Sequence, residues 1–220
     1  MNTISFMSAT ADLECIDEPQ RASTLLDPLR LRILQLLSQP GSSTEVAGRL
    51  GLPRQKVNYH VRKLAEAGFL KSAGRRKKRN MMEQRWLATA RSYLLTPEVV
   101  APLRPDPERI ADKGSAAYLL AATGRVQSEL GRVMAQAEAA GQRVATLTLD
   151  AAVGFTDAAQ RAAFARALEE AVAQVVARHS VPVERAAVRP FRLSLTCHPM
   201  PAEAGTEASL TFDEPEEEGR

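Results

Sequence analysis

The stretch Ser42–Trp86, SSTEVAGRLGLPRQKVNYHVRKLAEAGFLKSAGRRKKRNMMEQRW, decides the reading of this chain. Ser43 or Thr44 stands where a short helix would be capped, and Val46, Ala47 and Leu50 give that helix one apolar face. Gly51-Leu52-Pro53 makes a tight turn. The next helix has Pro53 at its start and Gly68 past its end. Within it Val57, Val61 and Leu64 recur at i, i+4 and i+7, the spacing of a buried face. Arg54, Gln55, Asn58, Tyr59 and Arg62 are left on the opposite face. Guanidinium forks and side-chain amides are the groups that read base edges in a major groove. A strand over Phe69–Ser72, a basic tip and a second strand over Met82–Leu87 complete the stretch. A helix-turn-helix followed by a basic hairpin describes a winged helix, a fold that lays its second helix on duplex DNA.

Charge supports that reading. The chain of 220 residues has a formal net charge of only +3. Between Arg54 and Arg91, however, twelve Lys or Arg stand against two acids, Glu66 and Glu83, so the remainder of the chain is acidic. A basic block on a compact motif calls for a polyanionic partner. Lys56, Lys63 and the wing residues Arg75, Arg76, Lys77, Lys78 and Arg79, on a short loop, are expected to meet phosphates, with Ser43 and Thr44 at the edge of the same surface. No run of eighteen apolar residues exists, which argues against a membrane span. The N-terminus has neither the basic start nor the apolar stretch of a secretory signal. Cys15 and Cys197 are the only cysteines, too few for a disulfide framework, and a cytoplasmic setting is expected.

Outward from the motif, residues 1–18 read as loose. A helix covers Gln20–Leu26. Another follows in LLDPLRLRILQLL, where Asp27 caps, Pro28 takes the first turn, and Leu29, Ile33, Leu36 and Leu37 line a face. Residues 19–96 thus form the expected DNA-binding domain. Pro97, Pro102, Pro105 and Pro107 mark a linker over 97–105. The expected second domain, 106–203, reads helix–strand–helix–strand. It has a long helix from Pro107 to Ala140, a strand in RVATLTLD, a helix capped by Thr156 or Asp157, and a strand in FRLSLTCHP. The fold class is therefore mainly α, with an α+β C-terminal part. Leu147 and Leu149, Phe164 and Leu168, and Phe191, Leu193 and Leu195 form an expected apolar layer. Such a layer is either core or a site for a small apolar effector. Residues 204–220 read as a disordered acidic tail.

LLDPLRLRILQLL and STEVAGRLGLPRQKVNYHVRKLAEAGFLK resemble the second helix, the helix-turn-helix and the first wing strand of the arsenic-repressor (ArsR) type of bacterial winged-helix regulator. The resemblance covers roughly residues 20–96. It implies a homodimer with two reading heads on a pseudo-palindromic operator, and repression relieved by a signal. The metal chemistry of that family does not carry over. Its Cys-x-Cys helix is here STEVAGRL, with Glu45 but no thiol or imidazole, and a lone carboxylate makes no tight transition-metal site. The chain also has a long C-terminal extension and an unusually basic wing.

No catalytic set, phosphate-binding loop or dinucleotide fingerprint is present, so neither an enzyme nor a cofactor is expected. His60, beside Val61, reads as a half-buried structural group. Cys197-His198 lacks the further ligands that zinc needs, and Cys197 reads as a small buried hydrophobe. The sequence therefore points to a DNA-binding transcriptional regulator acting as a homodimer. The competing class is a winged-helix protein-interaction module, whose basic wing and acidic tail would bind protein partners.

Overall fold

The computed structural model describes residues 10–78, 81–181 and 188–201. It divides into two compact units, Met1–Leu147 and Thr148–Arg220.

The first unit is built on the expected winged helix. Helix α1 spans Pro19–Leu25 and α2 spans Pro28–Leu36, where the Asp27 side chain accepts from the backbone N–H groups of Leu29 and Arg30. The short strand β2, Gly41–Ser42, leads into α3, Ser43–Leu50, and then α4, Arg54–Glu66. The hairpin β3, Leu70–Lys78, and β4, Met81–Ala88, forms an antiparallel sheet in the order β2-β4-β3. Ile33 from α2 and Leu37 just past its end, Val57, Val61 and Leu64 from α4, and Phe69 are fully buried together. The periodic positions therefore form the core, and burial of a side chain of this size contributes about 1.5–3 kcal/mol.

The cap of α3 is Ser42, not Ser43 or Thr44. Its Oγ accepts from the Glu45 N–H at 3.2 Å, and the Glu45 carboxylate accepts from the Ser42 N–H at 3.0 Å. This is the reciprocal capping box, in which acceptor and acid stand three residues apart. Gly51 ends the helix at φ 65°, a left-handed conformation that glycine adopts without a Cβ clash.

The N-terminal stretch expected to be loose contains β1, Ala11–Ile16, which pairs in parallel with β5, Ala90–Leu95. Its partner lies far along the chain, and the only local signal is the short alternation of Ala11, Leu13 and Cys15 with Asp12 and Glu14. Arg21 locks this sheet to the winged helix. It donates to the Ala67 carbonyl at 3.0 Å, pairs with Glu14 at 2.5 Å, and lies 4.7 Å over the Phe69 ring.

The Pro-rich stretch is not a boundary between units. Pro97–Leu103 and Pro107–Arg109 form 3-10 turns, and α5, Ala116–Ala139, packs against both and against β1. Helix α5 begins later than expected, because Ser115 caps it by accepting from the Tyr118 N–H at 3.1 Å. Its buried face is a stripe of small residues, Ala121, Gly124, Ser128 and Gly131. A Cβ on Gly131 would stand 3.0 Å from the Cys15 Cβ, so small size there sets how closely α5 lies on β1. Larger apolar residues, Leu130 and Val133, are exposed on the other side, and Leu120 is exposed at the N-terminal part of the helix.

In the second unit, α6 spans Ala158–His179, capped by Asp157, which accepts from the Gln160 N–H at 2.7 Å. The two strands expected on either side are not formed. Residues 142–155 and 188–201 carry no assigned strand or helix. A strand needs a backbone partner, and alternation alone supplies none. The expected apolar layer is likewise not assembled: Leu147 and Leu149 are 80% exposed and Phe191 75%, with Leu193 and Leu195 also exposed. Cys197 is exposed rather than buried. The tail 204–220 and Arg79 lie outside the described residues. Among the described residues, no helix is long and apolar enough to cross a membrane.

Candidate nucleic-acid interface

Helix α4 is anchored by its back. Val57, Val61 and Leu64 hold it in the core, so its other face is fixed in orientation. On that face Arg54, Gln55, Lys56, Asn58, Tyr59, Arg62 and Lys63 are all exposed, and Tyr59 retains 55% of its surface. The N-terminal turn of α4 has no side-chain cap and no acidic residue. Its backbone N–H groups, with Arg54 and Lys56 beside them, are suited to a phosphate oxygen.

Two of the expected contact residues have structural tasks. Ser43 is only 8% exposed, and its hydroxyl donates to the Asn58 Oδ1 at 3.3 Å. This bond ties the start of α3 to the middle of α4 and fixes the angle between them. It leaves the Asn58 amide nitrogen as the group turned outward. Thr44 is half-buried. Lys63 donates to Glu66 at 2.9 Å. That hydrogen bond and the charge attraction raise the Lys63 pKa and lower that of Glu66. Both groups stay ionised, and the pair presents less net charge to a phosphate than Lys63 alone would.

The wing differs from the expected loop. Most of its basic residues belong to the β3–β4 ladder, where Arg75 faces Gln84, Arg76 faces Glu83 and Lys77 faces Met82. An irregularity between Ser72 and Arg75, with Gly74 at φ 90°, resets the register just before them. Alternation along a strand then sends Arg75 and Lys77 to one face and Arg76 to the other. Arg75 donates to the Gln84 side chain at 3.4 Å, and Arg76 approaches Glu45 at 4.0 Å, across the start of α3. Arg75, Arg76 and Lys77 are all exposed.

His60 is half-buried, as its place beside Val61 suggests. Its Nδ1 accepts from Arg30 Nε at 3.4 Å, and Arg30 also donates to the Thr24 carbonyl at 2.9 Å and pairs with Asp27. Arg30 and Arg85 are polar anchors that the sequence does not reveal. Arg85 donates to the Pro40 carbonyl and so fastens the wing to the turn before α3. Neither lies in a motif, because both act across the fold. Among the described residues no group of three His, Cys, Asp or Glu could hold a metal ion. A groove of about 1020 Å³ lies between β1 and α5, but its walls include Asp12, Glu14, Asp17, Arg21, Arg132 and Glu138. These charges are mixed with Leu13, Cys15, Met134 and Val144, and the walls share no residue with the apolar layer expected from the sequence.

Comparison with known proteins agrees with this geometry. A family model described as a helix-turn-helix domain matches residues 25–73, which span α2, β2, α3, α4 and the first residues of β3. The chain carries a helix-turn-helix domain at that place. No curated protein matches. Among solved structures the chain is similar to reduced HlyU from Vibrio cholerae N16961. The likeness is at 20% identity, covering 33% of this chain and 72% of that one with a TM-score of 0.28, a level that adds nothing to the geometry.

Proposed function

We propose that the protein is a sequence-specific DNA-binding transcriptional regulator of the ArsR-like winged-helix type. It is no enzyme, and it acts as a repressor that occupies a pseudo-palindromic operator as a homodimer. The observation that carries this reading is the outward face of α4, polar and basic from Arg54 to Lys63, on a helix whose opposite face is fully buried. Affinity comes from phosphate contacts by Lys56, the uncapped start of α4 and the wing. Base choice comes from Arg54, Gln55, Asn58, Tyr59 and Arg62. The exposed Leu130 and Val133 of α5 support a dimer contact on that helix, and a dimer reads two half-sites about 34–36 Å apart. A protein-interaction role has no use for so basic a hairpin. The test is to retain fragments of genomic DNA on the purified protein and footprint those that are enriched. A common sequence with two protected half-sites supports the proposal, and retention without enrichment of any sequence refutes it.

A further inference from the structure

Helix α6 has 22 residues, and none of them is buried. In proteins most of a helix's stability comes from tertiary packing of an apolar face, and within its own unit α6 buries none. Its apolar residues are not scattered. Phe164, Leu168, Val172 and Val175 share one face, with Arg161 among them, Asp157 at one end and His179 at the other. Of the other charged residues of its middle, Arg166 and Glu170 lie on the far side and Glu169 on one flank of this face.

The spacing of that face reads the same in both directions. Phe164 and Val172 stand four residues either side of Leu168, Arg161 and Val175 seven, and Asp157 and His179 eleven. An antiparallel copy of the helix, turned about Leu168, therefore sets Phe164 against Val172 and carries the stem of Arg161 over Val175. It also brings the Asp157 carboxylate to the end that holds Arg178 and His179. Asp157 stays ionised, because the Gln160 N–H and the Thr156 hydroxyl hold its pKa low. A parallel copy would set Asp157 against Asp157 and align the helix dipoles, both unfavourable.

We propose that α6 pairs antiparallel with α6 of a second copy of this chain, about a two-fold axis at Leu168. The helix is about 33 Å long and about 10 Å wide. Its face thus offers about 330 Å² per copy, against the roughly 800 Å² of a standard stable interface. Leu149, Phe191, Leu193 and Leu195 belong to the same unit, and their exposed side chains are further apolar surface that can add to this contact. The proposal does not depend on DNA binding, and its test uses none.

The experiment is oxidative cross-linking of the full chain with Cys15→Ser and Cys197→Ser as background. Leu168→Cys should form a covalent dimer about tenfold faster than Ala177→Cys, which lies on the opposite face, because a disulfide needs Cβ atoms about 4 Å apart. Register is tested by mixing Phe164→Cys chains with Val172→Cys chains. The mixture should cross-link faster than either variant alone, since each of these residues lies about 12 Å along the axis from its own copy in the partner. Equal rates for Leu168→Cys and Ala177→Cys would overturn the proposal. So would self-linking of Phe164→Cys as fast as the mixture, which is the mark of a parallel pair.

Discussion

Replacing Arg75, Arg76 and Lys77 together by Gln should change how salt affects DNA binding far more than which DNA is bound. The three side chains are exposed on a ladder whose backbone pairs do not depend on their charge, so the hairpin persists. Every phosphate left without its cation takes about 0.9 from the slope of log affinity against log salt, and three take about 2.7. Over a fourfold rise in salt, from roughly 50 to 200 mM, a slope change of about 2.7 reduces the salt-induced loss of affinity about 40-fold. Arg76 already faces Glu45 at 4.0 Å, so part of its charge is offset within the protein. Counting Arg75 and Lys77 alone gives a slope change of about 1.8 and a reduction of about 12-fold. The expected result lies between these limits. Fluorescence anisotropy with a labelled operator duplex and a shuffled duplex, across that salt range, measures it. An unchanged slope would mean that the wing does not touch the phosphate backbone. A loss confined to the operator duplex would mean that the wing reads bases, contrary to the reasoning.

Four further outcomes follow from the geometry. Gly131→Val should destabilise the first unit by about 1–3 kcal/mol, as overpacking against Cys15 does, and urea unfolding measures the change. A midpoint equal to the parent's would show that α5 does not rest on β1 this closely. Ser42→Ala removes the acceptor of the capping box and should cost about 1 kcal/mol in the same assay, whereas Thr44→Ala should cost far less. Asp27→Asn keeps a capping oxygen and removes the charge. Burial pushes the Asp27 pKa up, but the Arg30 and Leu29 N–H groups and the Arg30 guanidinium outweigh it, so the pKa lies below the ordinary value. The stability that this charge contributes is present above the unfolded pKa of about 3.9 and is lost as the pH falls through the lower folded value. The difference between parent and Asp27→Asn should therefore be full at neutral pH and vanish in strong acid; a difference that grows as the pH falls would contradict the sign. Asn58→Ala should cost stability as well as affinity, because it strips Ser43 of its acceptor, while Tyr59→Ala should cost affinity alone.

The winged helix is legible in the sequence because its signals are local. Val57, Val61 and Leu64 define a period, Pro53 and Gly68 mark its ends, and the density of Lys and Arg after Gly68 is visible without any tertiary neighbour being known. What is not legible depends on partners distant in the chain. Strand β1 is made by β5; Ala11, Leu13 and Cys15 do alternate with Asp12 and Glu14, but this period of two spans only five residues, and the partner that fixes it lies about eighty residues on. The capping serine falls one or two residues before the expected position, because Ser42, Ser43 and Thr44 all carry the needed hydroxyl and only the strand before α3 selects among them. The wing reads as a loop for a related reason. Basic residues have low strand propensity, and their pairing with Gln84, Glu83 and Met82 overrides it. The alternation in RVATLTLD and FRLSLTCHP is real, but a strand also needs a neighbour, and within this chain neither segment has one among the described residues.

The central claim is that α4 chooses sequence, and one ratio tests it most directly. It is the affinity for a duplex enriched from genomic fragments divided by the affinity for the same duplex shuffled, at one salt concentration. The parent protein should give a ratio of about 10³ or more. Gln55→Ala with Tyr59→Ala should lower that ratio by roughly 5- to 150-fold for each base that is no longer read, as a cost of about 1–3 kcal/mol per base requires. Binding to the shuffled duplex should stay the same. A parent ratio near one, or a ratio untouched by both substitutions, would contradict the account.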